Sequence, residues 1–340
     1  MSGASRLVLH IGMPKTGSSA LQVAFVRNRD WLARSGIYYP THYNDDKALK
    51  GGVVSGNGIG AHLYTMAAGG LRGKDRPSAR VFADPLEKSP AESVLMSSEG
   101  FWGFLPGENR FRELQDIVSA AGAELHIAVF VRNVVGHALS AYSQRVKRAK
   151  YTESFDSFIR VNPNNGSSAY SHPMRKKIDH LLNVVGPEKL HVLHYDSSSS
   201  RITTHFLRTV FGIDDFTGFA EAKSRINRSL TPDEIDIMRR LNRHVERGGD
   251  ATRLSDEIIS MPEFGDRKLR ITPQNQEILS ERFSSDIEWI NRTFFAGEDV
   301  VGIGSDKVTV TEDTPAAVGP ARREKFYLGL IGKLAPYLKS

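Results

Sequence analysis

A doubly wound α/β fold follows from three observations. Short apolar runs rich in β-branched residues are bounded by turn residues, helical patterns ending at glycine lie between them, and a compact Gly/Pro/Lys/Ser turn joins the first run to the first helix. The apolar runs span 7–11, 94–96, 126–131 and 190–194. Runs this short and continuous belong in the interior of a parallel sheet, buried on both faces. The first helical pattern, 18–35, carries Leu21, Ala24, Phe25 and Leu32 and stops at Gly36. The second, 111–121, carries Leu114, Ile117 and Val118 and stops at Gly122. Patterns over 133–150, over 173–185 before Gly186 and over 201–211 before Gly212 repeat the rhythm. A glycine just past the last turn is the residue best suited to the left-handed conformation that ends a helix.

The remaining segments differ in composition. Residues 41–90 are rich in Gly, Ser, Asp and Lys, with Gly51-Gly52, Gly56-Asn57-Gly58 and Gly69-Gly70 around a short helical pattern at 61–68. An insertion of this length between sheet elements is either a substrate lid or a variable surface loop. Beyond 227 the chain is largely helical: Thr231 is placed to cap a helix, Pro232 opens it, Asp233 and Glu234 supply early acids, and the pattern runs on to 247. Residues 297–324 read as a mobile segment before a final amphipathic helix at 324–338. The expected organisation is one α/β domain over 1–296, followed by that segment and helix over 297–340.

Composition narrows the function classes. The chain has 340 residues, 40% of them hydrophobic and 25% charged, which suits a globular protein with a substantial core. It contains no cysteine, so disulfides, iron–sulfur sites and cysteine nucleophiles are excluded by inventory. A formal net charge of +6 favours anionic ligands. The basic clusters Arg145-Val-Lys-Arg148 and Arg175-Lys-Lys177 come without any base-reading module, so no nucleic-acid partner is expected. The opening apolar run is too short for a signal sequence or a membrane span, and the expectation is a cytoplasmic protein with no integral membrane segment. The sequence leaves the oligomeric state open.

The turn His10-Ile11-Gly12-Met13-Pro14-Lys15-Thr16-Gly17-Ser18-Ser19 has the layout of a phosphate cradle. A strand delivers the turn to one end of the sheet, its N–H groups converge, and the positive end of the following helix faces an anion. It departs from the nucleoside-triphosphate pattern G-x-x-x-x-G-K-[ST]. Gly12 and Gly17 keep that separation, but Lys15 lies inside the turn and Ser18 occupies the lysine position. No carboxylate comparable to a magnesium-holding aspartate follows an apolar run, and no metal is expected. A second motif, Val129-Phe-Val-Arg132-Asn-Val-Val-Gly-His-Ala-Leu-Ser140-Ala-Tyr-Ser143, places an arginine at a strand end and a serine eight positions later. A planar guanidinium with a hydroxyl suits a phosphate monoester.

Together the two motifs resemble those of sulfotransferases that use 3′-phosphoadenosine-5′-phosphosulfate (PAPS), in a bacterial, carbohydrate-sulfotransferase-like branch. The resemblance covers most of residues 5–235 in element order and is specific around 10–19 and 129–143. It implies that Pro14, Lys15, Thr16, Gly17, Ser18 and Ser19 cradle the 5′-phosphosulfate and that Arg132 and Ser140 take the 3′-phosphate. Lys15 would neutralise charge building on the departing phosphate. The proline that commonly follows the arginine of the second motif is replaced here, with Val134 at that place.

Transfer to an alcohol needs a base for the hydroxyl proton. Glu99, at the end of Val94-Leu-Met-Ser-Ser-Glu99, is the first candidate, and His62 in the insertion is its rival; each could equally be structural. Phe101 and Trp102 are either an apolar wall for a ring or core. The segment Ser224-Arg225-Ile-Asn-Arg228-Ser-Leu-Thr-Pro232 resembles one that precedes a helix in bacterial sulfotransferase-like proteins. Arg225 or Arg228 would then complete the nucleotide clamp, or remain solvated beside a cap. Tyr195 and Asp196, ending the fourth run, read as structural. The implied reaction is direct in-line transfer to a small-molecule or glycan hydroxyl, leaving adenosine 3′,5′-bisphosphate. The alternatives are a P-loop ATP-dependent kinase and a non-catalytic nucleotide-binding scaffold.

Overall fold

The computed structural model describes residues 3–43, 45–50, 56–58, 77–103, 108–161, 168–198, 201–220, 228–245, 248–312 and 319–334. Contacts group the chain into two units, Met1–Arg132, Pro173–Ile226 and Trp289–Val301 in the first, and Asn133–His172, Asn227–Glu288 and Gly302–Ser340 in the second.

The first unit holds a five-stranded parallel sheet in the order β2-β3-β1-β4-β5, made of β1 (Arg6–Ile11), β2 (Ile37–Tyr38), β3 (Ser93–Ser98), β4 (Glu124–Val131) and β5 (Leu190–His194). Its described helices include α1 (Ser18–Arg27), α2 (Arg29–Arg34), α3 (Asp45–Leu49), α4 (Pro77–Lys88), α5 (Gly100–Gly103) and α6 (Glu108–Ala120). The second unit contributes α7 (Val134–Arg148) and α8 (Phe155–Ile159), and the first resumes with α9 (Met174–Val185), α10 (Tyr195–Ser198) and α11 (Ile202–Phe211). The doubly wound α/β expectation holds. The chain leaves β1 toward β2 on one side and β4 toward β5 on the other. The carboxyl ends of β1 and β4 therefore flank a topological switch point, where open sheets place ligands.

The central strands are buried beyond their first residues, with Leu7, Val8, Leu9, Ile11, Ile127, Val129 and Phe130 at 0% exposure. Their continuous apolar character is what made them readable. β3 is longer than its apolar run because its serines find partners inside the core. Ser93 Oγ accepts from Arg6 Nε at 3.0 Å, and Ser98 Oγ accepts from the Gly100 N–H at 3.2 Å. Ser97 Oγ lies 2.8 Å from His10 Nδ1 and accepts from Gln22 Nε2 at 3.1 Å. His10 itself is sealed between Phe130 and Phe206, and burial holds its imidazole down to about 3, neutral at ordinary pH.

Three details depart from the sequence expectation. The helix expected over 18–35 breaks at Asn28, whose buried side chain donates to the Ala24 carbonyl of the preceding turn at 2.8 Å and to the Ala220 carbonyl at 2.9 Å, and accepts from the Ala220 N–H at 2.7 Å. β2 has only two residues, too few for any periodicity to register. Beyond it the edge of β3 is continued by Asn57. Its side chain accepts from the Ser97 N–H at 2.8 Å and donates to the Leu95 carbonyl at 3.1 Å, while the Gly58 N–H reaches the Ser97 carbonyl at 2.9 Å. Gly56 sits at φ 81°, and a Cβ there would collide with the Ser97 carbonyl and the Gln22 amide. The Gly-Asn-Gly element is thus docked along the sheet edge.

The second unit is mainly helical, with α12 (Pro232–Leu241), α13 (Gly248–Ser260), α14 (Pro273–Phe294, divided between the units at Trp289) and α15 (Pro320–Leu334). A parallel pair, β6 (Leu269–Ile271) with β7 (Val308–Val310), crosses the segment read as mobile. Alternating Val308-Thr309-Val310 supplies β-branched side chains on a short extended stretch. The α12 start is a capping box: Thr231 Oγ1 accepts from the Glu234 N–H and Glu234 Oε2 accepts from the Thr231 N–H.

Glu234, at 0% exposure, also receives both Nη1 and Nη2 of Arg228 at 2.7 and 3.0 Å, and the Phe264 N–H at 3.1 Å. Glu234→Gln leaves the Arg228 guanidinium without its counter-charge inside the fold. It is expected to lower unfolding stability by about 3 kcal/mol, read as a lower urea midpoint with an unchanged slope.

Candidate active site

Gly12 ends β1, and its N–H still joins the ladder by donating to the Ser98 carbonyl at 3.2 Å. The chain then turns through Met13–Ser18. Thr16 is buried and its hydroxyl donates to the Met13 carbonyl at 2.6 Å, closing the turn on itself. Lys15 adopts φ 69°, and Gly17, the N-cap of α1, adopts φ 81°. A lysine held in the left-handed region costs about 1 kcal/mol or more and needs external support.

That support comes from β4 and β5. Arg132, one residue past β4, donates from Nη1 to the Lys15 carbonyl at 2.9 Å. Its Nε lies 3.4 Å from Asp196 Oδ1, an ion pair without the alignment of a hydrogen bond, and the guanidinium lies 5.1 Å from the Tyr195 ring centroid. The same Tyr195 ring packs against Gly17, where a Cβ would approach it to 2.9 Å and Ile202 Cδ1 to 2.7 Å. Tyr195 and Asp196, read from sequence as structural, therefore brace the turn directly through Arg132. Their signal in the sequence was only their place after an apolar run, because the brace depends on β4 and β5 being neighbours.

Glu99 enters from the adjacent strand. It follows β3, and its backbone carbonyl accepts from the Trp102 N–H at 3.2 Å as α5 begins. Its side chain reaches toward β1: a Cβ on Gly12 would lie 2.8 Å from Glu99 Cγ and still closer to Ser18 Oγ. One side of Glu99 is open to solvent while Gly12, Lys15 and Ser18 crowd the other. Loss of water on that crowded side pushes the carboxyl above its usual range, with the Lys15 charge and the Ser18 hydroxyl pulling it partly back. Ser18 Oγ is buried and has no aligned hydrogen-bond partner among the described residues. A buried, unaligned hydroxyl beside a cationic turn is the kind of donor that a bound oxyanion satisfies. Gly12→Ala would force Ser18 and Glu99 apart. It is expected to weaken oxyanion binding at the turn by about tenfold or more and to lower the melting temperature by roughly a few degrees, measured by titration beside thermal unfolding.

Lys177, from the basic cluster Arg175-Lys-Lys177, is half-buried on α9 and donates from Nζ to the Trp102 carbonyl, 4.9 Å from the centre of the Trp102 ring. It fastens the far end of the turn that carries Glu99. Phe101 and Trp102 are buried at 3% and 6% exposure, so they are core.

The remaining sequence candidates fall elsewhere. Pro14 is exposed at the crest of the turn, and Ser19 is half-buried in the first turn of α1. Ser140 stands half-buried on α7 in the second unit. At the start of that helix the Val134 N–H, which a proline would lack, donates to the Gly302 carbonyl at 3.1 Å. Arg228 is a correction: its three nitrogens are occupied by Glu234 and by the carbonyls of Ser229, Ile258, Ile259 and Met261, so it serves the fold and not a ligand. Its partner Glu234 lies a turn into the next helix, and nothing local in the sequence pairs them. His62 and Arg225 lie outside the described residues, as does the helical pattern at 61–68.

Sheet order and turn make this a P-loop-type α/β protein, with a cationic turn at the end of its central strand and a carboxylate at the end of the next. No family model matches the chain, and no curated protein matches it. Among solved structures, it is similar to a sulfotransferase from Alicyclobacillus acidocaldarius, at 15% identity and a TM-score of 0.45 over 86% of this chain and 96% of that one.

Proposed function

We propose that the protein is a PAPS-dependent sulfotransferase that moves the sulfuryl group to a hydroxyl of a small molecule or glycan. The observation that carries this reading is the pairing of a lysine inside the strand-to-helix turn with a carboxylate of raised proton affinity beside it. Phosphoryl transfer from a triphosphate uses a lysine after the second glycine, whereas here Lys15 precedes Gly17 and its charge acts on Glu99.

In this reading the turn from Pro14 to Ser19 holds the 5′-phosphosulfate, with Ser18 Oγ turning from Glu99 to donate to it. Arg132 keeps Lys15 in its left-handed conformation and offers its remaining Nη2 to the 3′-phosphate; Ser140 is assigned to that phosphate by its spacing alone. Glu99 takes the proton of the acceptor hydroxyl as its oxygen forms the new bond to sulfur. Lys15 neutralises the negative charge left on the phosphate as the old sulfur–oxygen bond breaks. The products are a sulfate ester and adenosine 3′,5′-bisphosphate, and Glu99 returns its proton to solvent on its open side. The polar, Gly-rich insertion favours a hydroxyl-rich acceptor over a flat apolar one.

Radiolabelled PAPS incubated with a panel of glycans and apolar alcohols tests the reading. Label is expected in glycan products. Bisphosphate binding with no transfer to any acceptor would leave a nucleotide-binding scaffold in its place.

A further inference from the structure

The outer face of α15 carries apolar side chains that no described residue covers. Two residues on its inner side, Phe326 and Leu330, are buried, Phe326 against Phe264 with ring centroids 4.5 Å apart. Lys333 reaches Glu257 at 3.8 Å, and Gly329 faces the Met261 side chain. On the opposite side Tyr327, Leu328 and Ile331 are 45%, 62% and 60% exposed. At 3.6 residues per turn these three share one face, turned away from Phe326 and Leu330. Exposed Arg323 and Lys325 flank them, with Arg322 and Lys333 farther round, while one carboxylate, Glu324, lies on the face itself, one turn before Tyr327 and Leu328.

We propose that this face of α15 docks the protein on an anionic lipid surface. An interfacial helix needs an apolar stripe to enter the acyl boundary and cations on long stems to reach the headgroups, and α15 has both. The charge on its rim is complementary to anionic headgroups and would repel a like rim. A second copy fits the face poorly, because three side chains bury far less than the roughly 1,200 Å² of a stable dimer. No helix among the described residues is long and apolar enough to cross a membrane, so the contact is peripheral. The inference is independent of the reaction proposed above.

Sedimentation of the full chain with vesicles tests it. Binding to phosphatidylcholine vesicles doped with phosphatidylglycerol is expected to exceed binding to pure phosphatidylcholine by about tenfold, and to weaken as salt is raised. Leu328→Asp together with Ile331→Asp, and separately Arg323→Glu together with Lys325→Glu, are each expected to abolish the excess. Because the substituted side chains are exposed, thermal unfolding should be unaffected. Equal binding to both vesicle types, or an excess that survives the aspartate substitutions, would overturn the proposal. So would a dimer in sedimentation velocity that those substitutions disperse, which would give the face to a second copy.

Discussion

Glu99→Gln is expected to reduce sulfuryl transfer by between about a hundredfold and ten-thousandfold, the range for a positioned general base, while bisphosphate affinity and stability stay near wild type. The amide keeps the shape that Gly12 and Ser18 pack against and loses only the proton-accepting oxygen. The wild-type pH profile carries the sign of the argument. A base works when deprotonated, and desolvation raises the Glu99 carboxyl above its usual range. The acidic limb of kcat/KM should therefore lie above the ordinary carboxylate range, with the rate rising as pH rises through it. A limb at the ordinary position, or activity surviving in Glu99→Gln, would remove Glu99 from this role and make His62 the base to test.

Lys15→Ala is expected to lower kcat by about a hundredfold or more, the cost of losing one stabiliser of developing charge, with a smaller loss of nucleotide affinity. The reason for the asymmetry is timing, since the lysine charge matters most as the leaving phosphate becomes more negative. A second effect is specific to this geometry. The Lys15 charge favours ionised Glu99, so its removal should move the acidic limb of the residual activity further upward. A pure affinity loss with an unmoved limb would contradict both roles. Substrate-level rates and pH profiles on the same preparations separate the two effects.

Much of this was legible locally. The strands at 7–11, 126–131 and 190–194 announce themselves because both faces of a parallel sheet are covered, leaving little reason for polar residues. The apolar run at 94–96 is shorter than β3 because Ser93, Ser97 and Ser98 look like boundaries, and only Arg6, His10, Gln22 and Gly100 turn them into core residues. Lys15 and Gly17 stand out as candidates because strand, turn and helix are contiguous in the chain, and Glu99 because an acid follows an apolar run closely. Tyr195, Asp196 and Lys177 could not, because each acts across the fold on a turn belonging to another element. The docked Gly56-Asn57-Gly58 element reads as an ordinary turn until Ser97 is seen to receive it. Arg228 misled for the same reason in reverse: an arginine beside a helix cap looks available until Glu234 is found behind it.

Under the proposed function, the turn bearing Lys15 and the adjoining Arg132 bind a nucleotide phosphorylated at the 3′ and 5′ positions of its ribose. Titration calorimetry of the intact protein with adenosine 3′,5′-bisphosphate, and separately with ATP and magnesium, tests it most directly. The expected result is saturable, one-site binding of the bisphosphate, tighter than that of ATP. Preference for ATP, or no heat with the bisphosphate, would contradict it.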